Sequence, residues 1–234
     1  MLDSRAATLP VALFCAAGVL FSPLPALARV ESDPQLIKPL SAQAQAQFHV
    51  MAGEMAAGRQ LPEAAAEEFL QALAFAPDAA LAARATAFAV AAKRDDLALK
   101  AAQQWLAIES SAMEAREVIA QISLKTGNVA EAKAQCVAII EGHPGGQDEG
   151  LRYIALLLAQ DKTASTAALG LMKSLAAERP HSAAAQRALA LLAFRFDDIA
   201  TTEKSAREAL RLAPQEREST LLLVAALVKR GDLV

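Results

Sequence analysis

Aromatic side chains are scarce in this chain of 234 residues: they make up 4% of it, with a single tryptophan, Trp105, and a single tyrosine, Tyr153. A core of large rings is excluded, and alanine and leucine, both strong helix formers, supply most of the 54% apolar content. That content is enough for a sizeable core and excludes a disordered chain. Cysteine is equally sparse, with Cys15 in an apolar N-terminal stretch and Cys136 in an amphipathic segment. Removal of the N-terminus would leave one thiol, so no intramolecular disulfide could staple the fold. An excess of either charge is missing too. The 23 basic and 26 acidic side chains give a net charge of -3, which excludes the strongly basic footprint of a protein that coats nucleic acid. Histidine occurs at His49, His143 and His181, far apart and without acidic or cysteine companions at metal spacing. Neither a metal nor a cofactor is implied.

Residues 1–28 open with Arg5 in a short polar start, continue through an apolar run from Leu9 to Leu20 and finish on Ala26-Leu27-Ala28. This is the pattern of a secretory signal peptide, in which Pro23 and Pro25 keep the chain extended for a peptidase pocket that accepts the small Ala26 and Ala28. Cleavage would leave Arg29 first; retention would make the segment a membrane anchor of marginal length. Lipidation at Cys15 needs small residues just ahead of the thiol, and Leu13 and Phe14 stand there instead. From Arg29 to Gln45, Pro34 and Pro39 interrupt any regular helix, so residues 29–45 read as a linker or N-terminal capping strap.

The remainder repeats itself. Ala65, Phe69 and Pro77 recur at the same spacing as Ala132, Cys136 and Pro144, as Ala168, Met172 and Pro180, and as Thr202, Ala206 and Pro214, with Ala98, Ala102 and Ser110 a weaker copy. The first members step by 33, 34, 36 and 34 residues, and a longer connection at His143-Pro-Gly-Gly-Gln147 is expected to hold the extra two. Gly127 before Asn128, and Gly231 before Asp232, mark turns between two helices. This pattern resembles the tetratricopeptide repeat (TPR), a helix pair whose second member carries a small residue, a bulky one and a terminating proline. The resemblance covers residues 46–234. It implies an all-α, right-handed superhelical solenoid of five full repeats and the first helix of a sixth, each unit burying the apolar face of the one before. Gly53, Ala120 and Ala190 fall where the two helices of a unit cross most closely, and Trp105 is expected to fill a wider gap between units.

In such solenoids the first helices line a concave groove, and their fifth and ninth positions face it. The register puts Val50 and Glu54, Arg84 and Phe88, Glu117 and Gln121, Tyr153 and Leu157, and Arg187 and Leu191 there. Tyr153, Phe88, Phe194 and Arg187 are the expected anchors, because aromatic and arginine side chains dominate binding energy at interfaces. Repeat proteins that clamp acidic C-terminal tails place Lys and Asn at those positions. Neither pairing is present, so the resemblance implies a groove for an extended or helical segment with apolar side chains. More narrowly, Phe48-His-Val-Met-Ala-Gly-Glu-Met-Ala-Ala-Gly-Arg59, Ala83-Arg-Ala-Thr86 and Trp105 resemble the start of a family of Gram-negative envelope TPR proteins. Some of that family are outer-membrane lipoproteins, and some are adaptors of C-terminal-processing proteases. The likeness implies a periplasmic location and a periplasmic protease or an envelope assembly subunit as partner, with no nucleic acid.

No arrangement that activates a nucleophile or pairs an acid with a base is legible, and His143-Pro-Gly-Gly-Gln147 lacks the lysine and hydroxyl of a phosphate loop. The chain is expected not to be an enzyme. A glycan-processing activity would need paired carboxylates, with Glu54 and Glu117 the ones to replace, and no loss is expected. His143 and His181 are expected to serve the last carbonyls of helices, His49 to face a groove or helix contact, and Cys136 to be buried and inert. Glu218 to Lys229 reads as a first helix whose Leu221, Leu222, Leu223, Val224, Leu227 and Val228 exceed what one preceding unit can cover. Either the chain is a fragment of a longer array, the reading favoured, or a partner covers that face. The expected function is a non-catalytic scaffold or adaptor of the bacterial envelope that binds polypeptides in the concave groove; the alternative is a structural subunit of a secretion, pilus or polysaccharide-export assembly. Mass spectrometry of the exported chain is expected to find Arg29 at its N-terminus, and an intact Met1 end would remove the cleaved signal.

Overall fold

The computed structural model describes residues 40–231; the expected signal at 1–28, most of the expected linker, Cys15 and Asp232 lie outside the described residues. Those residues form eleven α-helices: α1 Ala42–Gly58, α2 Pro62–Phe75, α3 Ala79–Ala91, α4 Asp95–Ile108, α5 Met113–Lys125, α6 Val129–Gly142, α7 Gln147–Leu158, α8 Ser165–Ala177, α9 Ala183–Arg195, α10 Ile199–Leu212 and α11 Arg217–Arg230. They succeed one another as antiparallel pairs of TPR type, an all-α solenoid. α1 starts at Ala42, inside the stretch expected to be linker, because the Ser41 hydroxyl accepts the Ala44 N–H at 3.2 Å and satisfies one of the free donors of the first turn. Among the described residues no helix is long and apolar enough to cross a membrane.

One turn joins the two helices of a pair, and it recurs. Gln60, Lys93, Gly127 and Asp197 adopt left-handed backbone with φ of 58°, 57°, 82° and 62°. The next residue then donates its N–H back into the first helix: Leu61 to Ala56, Arg94 to Ala89, Asn128 to Ser123 and Asp198 to Ala193, at 3.0, 3.0, 2.7 and 2.9 Å. These bonds close the helix ends as in a Schellman cap. Gly127 has the residue type such backbone favours and Asp197 one that tolerates it, while Gln60 and Lys93 hold it against the clash of a Cβ with the neighbouring carbonyl.

Packing between the paired helices depends on small residues. A Cβ at Gly53 would lie 2.5 Å from Phe69 Cε1, and Phe69 is fully buried, so the side chain that α1 lacks there is the space that the ring from α2 fills. Ala120 and Ala190 are likewise fully buried. Trp105 sits between units, packed with residues of α2 and α3 on one side and of α5 on the other, its Nε1 donating to Glu109 at 3.1 Å. A second close crossing joins α6 to α7, where a Cβ on Gly150 would meet Ile140 Cα at 2.8 Å and Ile140 O at 2.9 Å.

The fourth unit departs from this plan. From α5 to α7 the start advances by 34 residues, but from α6 to α8 by 36, so the extra two lie in the turn between α7 and α8 and not in the His143–Gln147 connection expected to hold them. That turn spans residues 159–164 and includes a short 3-10 turn, Lys162–Ala164, started by the Asp161 carboxylate accepting Thr163 N–H at 2.8 Å. The longer turn lets α7 and α8 stand apart, and α7 packs directly on α9. Leu151, Ile154, Leu171, Met172 and Leu175, all essentially inaccessible, fill the space that alanines fill in the first two units.

Gly150→Ala drives a methyl into a backbone that cannot yield and is expected to cost about 1–3 kcal/mol. Lys93→Gly removes roughly 1–2 kcal/mol of left-handed strain and returns about 0.4–1 kcal/mol through the looser unfolded chain, for a net gain of about 0–1.6 kcal/mol. Urea unfolding followed by helical ellipticity checks both, and a Lys93→Gly chain less stable than its parent would refute the strain.

Candidate protein-binding face

Side chains reach between successive first helices and so place these helices side by side on one face. Arg84 of α3 pairs with Glu54 of α1, and its guanidinium lies 4.5 Å from the centre of the Phe69 ring. The Arg84 hydrogen bond holds the Glu54 carboxyl below its ordinary range. Tyr153 of α7 donates its hydroxyl to Glu117 of α5 at 2.6 Å. Arg187 of α9 lies 3.3 Å from Glu216 and 3.5 Å from Glu218. Arg152 of α7 also reaches Glu218, at 3.5 Å. A contact from α7 to α11, past α9, puts the first-helix face on the inside of the curve.

These links decide which of the expected groove residues are available. Arg187 has only 15% of its side chain exposed and is committed to Glu216 and Glu218. Tyr153 is half-buried, its hydroxyl is occupied by Glu117, and its ring lies 5.5 Å from that of His143. Phe88 packs against Phe69 with ring centres 5.6 Å apart, and Phe194 lies under Lys229, whose Nζ is 4.8 Å from the ring centre. Gln121 donates to Gln160 at 3.3 Å, and Leu191 is half-buried against two clusters of the core. Leu157, expected in the groove, is a core residue at 5% exposure, because the direct packing of α7 on α9 covers that side of the helix.

The opening lies nearer the N-terminal end. Between α1 and α3 runs a groove of about 570 Å³ lined by Ala46, Gln47, Val50, Met51, Leu81 and Arg84, with Asp78 close by. Met51 is 66% exposed, a large apolar side chain facing water at the groove's rim. The register of fifth and ninth positions named Val50 and Arg84 but missed Gln47 and Met51. Their signal was the helical spacing Gln43, Gln47, Val50 and Met51, which places all four on one side of α1.

His49 and His143 serve structure, and His181 is exposed. His49 Nδ1 lies 2.7 Å from Glu68 of α2, and its ring stacks on Phe75 at 5.8 Å, so it joins two helices of one unit. His143 does not donate to the last helical carbonyls as expected; its Nδ1 accepts from Gly145 N–H at 3.1 Å and shapes the connection to α7. Burial pushes the Cys136 thiol up to about 12. Burial, with the hydrogen bond to Glu117 and that residue's charge, raises Tyr153 to about 12 as well.

No protein-family profile matches the chain, and no curated protein matches it. Solved structures with a similar arrangement of helices include a tetratricopeptide repeat protein from Parabacteroides merdae, 14% identical with a TM-score of 0.44 over 80% of this chain and 74% of that one. Another is pilF of Pseudomonas aeruginosa, 14% identical with a TM-score of 0.38 over 82% and 87%. A third is PilW, described as a widely conserved type IV pilus biogenesis factor, 14% identical with a TM-score of 0.39 over 80% and 87%. The likeness extends to repeated helix pairs and no further; the fold assignment stands on this chain's own turns and crossings.

Because the chain has one tyrosine, its tyrosinate absorbance reports Tyr153 alone. Recorded with helical ellipticity, the titration is expected to centre near pH 12 and to move down in Glu117→Gln. A parent midpoint at the ordinary value of about 10 would remove the hydrogen bond to Glu117. Iodoacetamide is expected to leave Cys136 unmodified in the folded chain and to alkylate it in urea, read by peptide mass spectrometry.

Proposed function

We propose that the chain is a non-catalytic scaffold that binds partner polypeptides through its first-helix face, at the groove between α1 and α3. The observation that carries this reading is the groove itself, with Ala46, Val50 and Leu81 as an apolar floor and Met51 exposed at its rim. A methionine adapts its shape to different apolar partners. The polar Gln47 and the Arg84–Glu54 pair at the sides can orient a segment whose apolar side chains enter the floor, as an amphipathic helix does in a groove. Farther along the face, Tyr153, Arg187 and Phe194 engage their own neighbours, so the working surface is the N-terminal part.

The finer reading is a periplasmic adaptor of the bacterial envelope, presenting substrates to a protease or joining an envelope assembly. It is supported by the signal-like pattern ending at Ala28 and by the likeness of Phe48 to Arg59 to envelope TPR proteins. The test uses the full chain with a photo-cross-linking residue at Gln47, expressed in a Gram-negative host. A discrete adduct with an envelope protein is expected, lost on Met51→Glu and absent when the cross-linker stands at Lys100 of α4. Adducts that persist in Met51→Glu, or none at all from Gln47, would remove the groove from the function.

A further inference from the structure

We infer a second interaction surface on the second-helix face: the groove between α8 and α10 is built to seat an acidic helix of a partner protein. This groove has a volume of about 790 Å³ and a floor that includes Leu189 of α9 and Ala176 of α8. Four cations, Lys173, Lys204, Arg207 and Arg211, line it against a single acid, Glu208. In a chain whose net charge is -3, this is a local reversal of sign.

The cations are arranged and available. Lys204, Arg207 and Arg211 stand at i, i+3 and i+7 on α10, a single stripe about 10 Å long at 1.5 Å per residue. Among the described residues Lys204 has no acidic partner within ion-pair distance. Arg207 pairs with Glu203 and Arg211 with Glu208 one turn away on the same helix, with the arginine side chains 57% and 64% exposed. The Arg211–Glu208 pair, exposed on both sides, is weak and can be exchanged for a carboxylate of a ligand, and Arg207, bound to the less exposed Glu203 through Nε and Nη2, keeps Nη1 for another. Lys173 completes the opposite wall, its Nζ 4.0 Å from Asp198 at one end of the groove.

The groove is open where its neighbour is bridged. Between α6 and α8 the Lys133 ammonium reaches both Ser174 and Glu178 and ties the two second helices together. No such bridge spans α8 and α10 among the described residues beyond the Lys173–Asp198 pair. A helix fits the space, since two turns of a cylinder about 10 Å across occupy roughly 800 Å³. Carboxylates on the partner at i, i+3 or i+4 and i+7 would match the cation stripe, and small apolar residues between them would rest on Ala176 and Leu189. An unbroken phosphate backbone fits less well, because Glu208 stands within the stripe and the floor is apolar. The surface is separate from the α1–α3 groove and does not depend on its function.

The test is fluorescence anisotropy with the full chain and a labelled helical peptide of about four turns, carrying glutamate at the stripe positions and alanine and leucine on the seat, alongside its lysine-for-glutamate counterpart. The acidic peptide is expected to bind and the lysine peptide not. Lys204→Glu with Arg207→Glu, and separately Lys173→Glu from the other wall, are expected to weaken binding at least about tenfold. Lys100→Glu and Met51→Glu, away from this groove, are expected to leave it unchanged, with ellipticity showing every variant folded. The proposal is overturned by no binding of the acidic peptide, by equal binding to the Lys204→Glu, Arg207→Glu chain, or by tighter binding of a heparin oligosaccharide or single-stranded DNA than of the peptide.

Discussion

The close approach of helix backbones is the constraint on which the rest of this molecule depends. An alanine removes little area from water, so at about 25 cal/mol per Å² it contributes less than a leucine unless the opposing helix comes near enough for backbone and side-chain dispersion to add to it. The first two units meet that condition with Ala65, Ala66, Ala82, Ala85, Ala98 and Ala101, all at 1% exposure or less. The few large groups then work as fixed wedges. Phe69 occupies the space that Gly53 leaves, Arg84 caps its ring, and Phe88 leans on it from the next unit, so one side chain couples three helices. Stability passes from neighbour to neighbour, and a misfit at one crossing is felt in the adjoining unit.

The fourth unit satisfies the same constraint differently, with consequences for the inner face. Two extra residues between α7 and α8 let the pair spread, and leucine, isoleucine and methionine replace alanine to keep the interior filled. α7 then falls against α9, which buries Leu157 and brings Arg152 to Glu218 beyond it. Glu216 links this closure to the start of α11, since its carboxylate accepts from Ser219 and Glu218 N–H at 2.5 and 3.2 Å while facing Arg187. Burial opposes its charge, but those hydrogen bonds and the guanidinium hold its pKa below the ordinary value. A carboxyl depressed in the fold stabilises it above its unfolded pKa and loses that contribution as pH falls through the folded one. The last first helix and the closed half of the inner face therefore weaken together in acid.

Much of this was legible in the residues because a repeat measures itself. The spacing from Ala65 to Phe69 to Pro77, copied along the chain, located the second helices, and Gly53 disclosed where α1 makes room for the Phe69 ring. Where reading failed, the cause was three-dimensional. Counting residues between copies located the insertion only to an interval, and two adjacent glycines after Pro144 drew it to the wrong end; the Asp161 carboxylate capping a short 3-10 turn was the quieter signal. The same slip misplaced Leu157, since a groove position is defined by a regular stack and the fourth unit is not regular. Tyr153 and Arg187 sat on the face assigned to them, but nothing in a sequence tells that their partners are Glu117 and Glu216, 36 and 29 residues away.

Charge separates the two faces. Inside the curve, acids and bases lie on adjacent first helices and neutralise one another across the gap: Glu54 with Arg84, Glu216 and Glu218 with Arg187. On α10 the two arginines pair along their own helix, Arg207 with Glu203 and Arg211 with Glu208, and among the described residues the one ion pair across to α8 is Lys173 with Asp198 at the helix start. A pair between helices holds a face shut where it is buried, as Arg187 and Glu216 are at 15% and 21% exposure, because breaking it strands both charges where water reaches them poorly. The Arg211–Glu208 pair, exposed on both sides, holds nothing shut, because each member is hydrated with or without the other. The burial of these pairs thus separates the inner face closed at Arg187 from the α1–α3 groove, where the exposed Arg84–Glu54 pair stands at the side of an apolar floor, and from the open, basic groove beside α10.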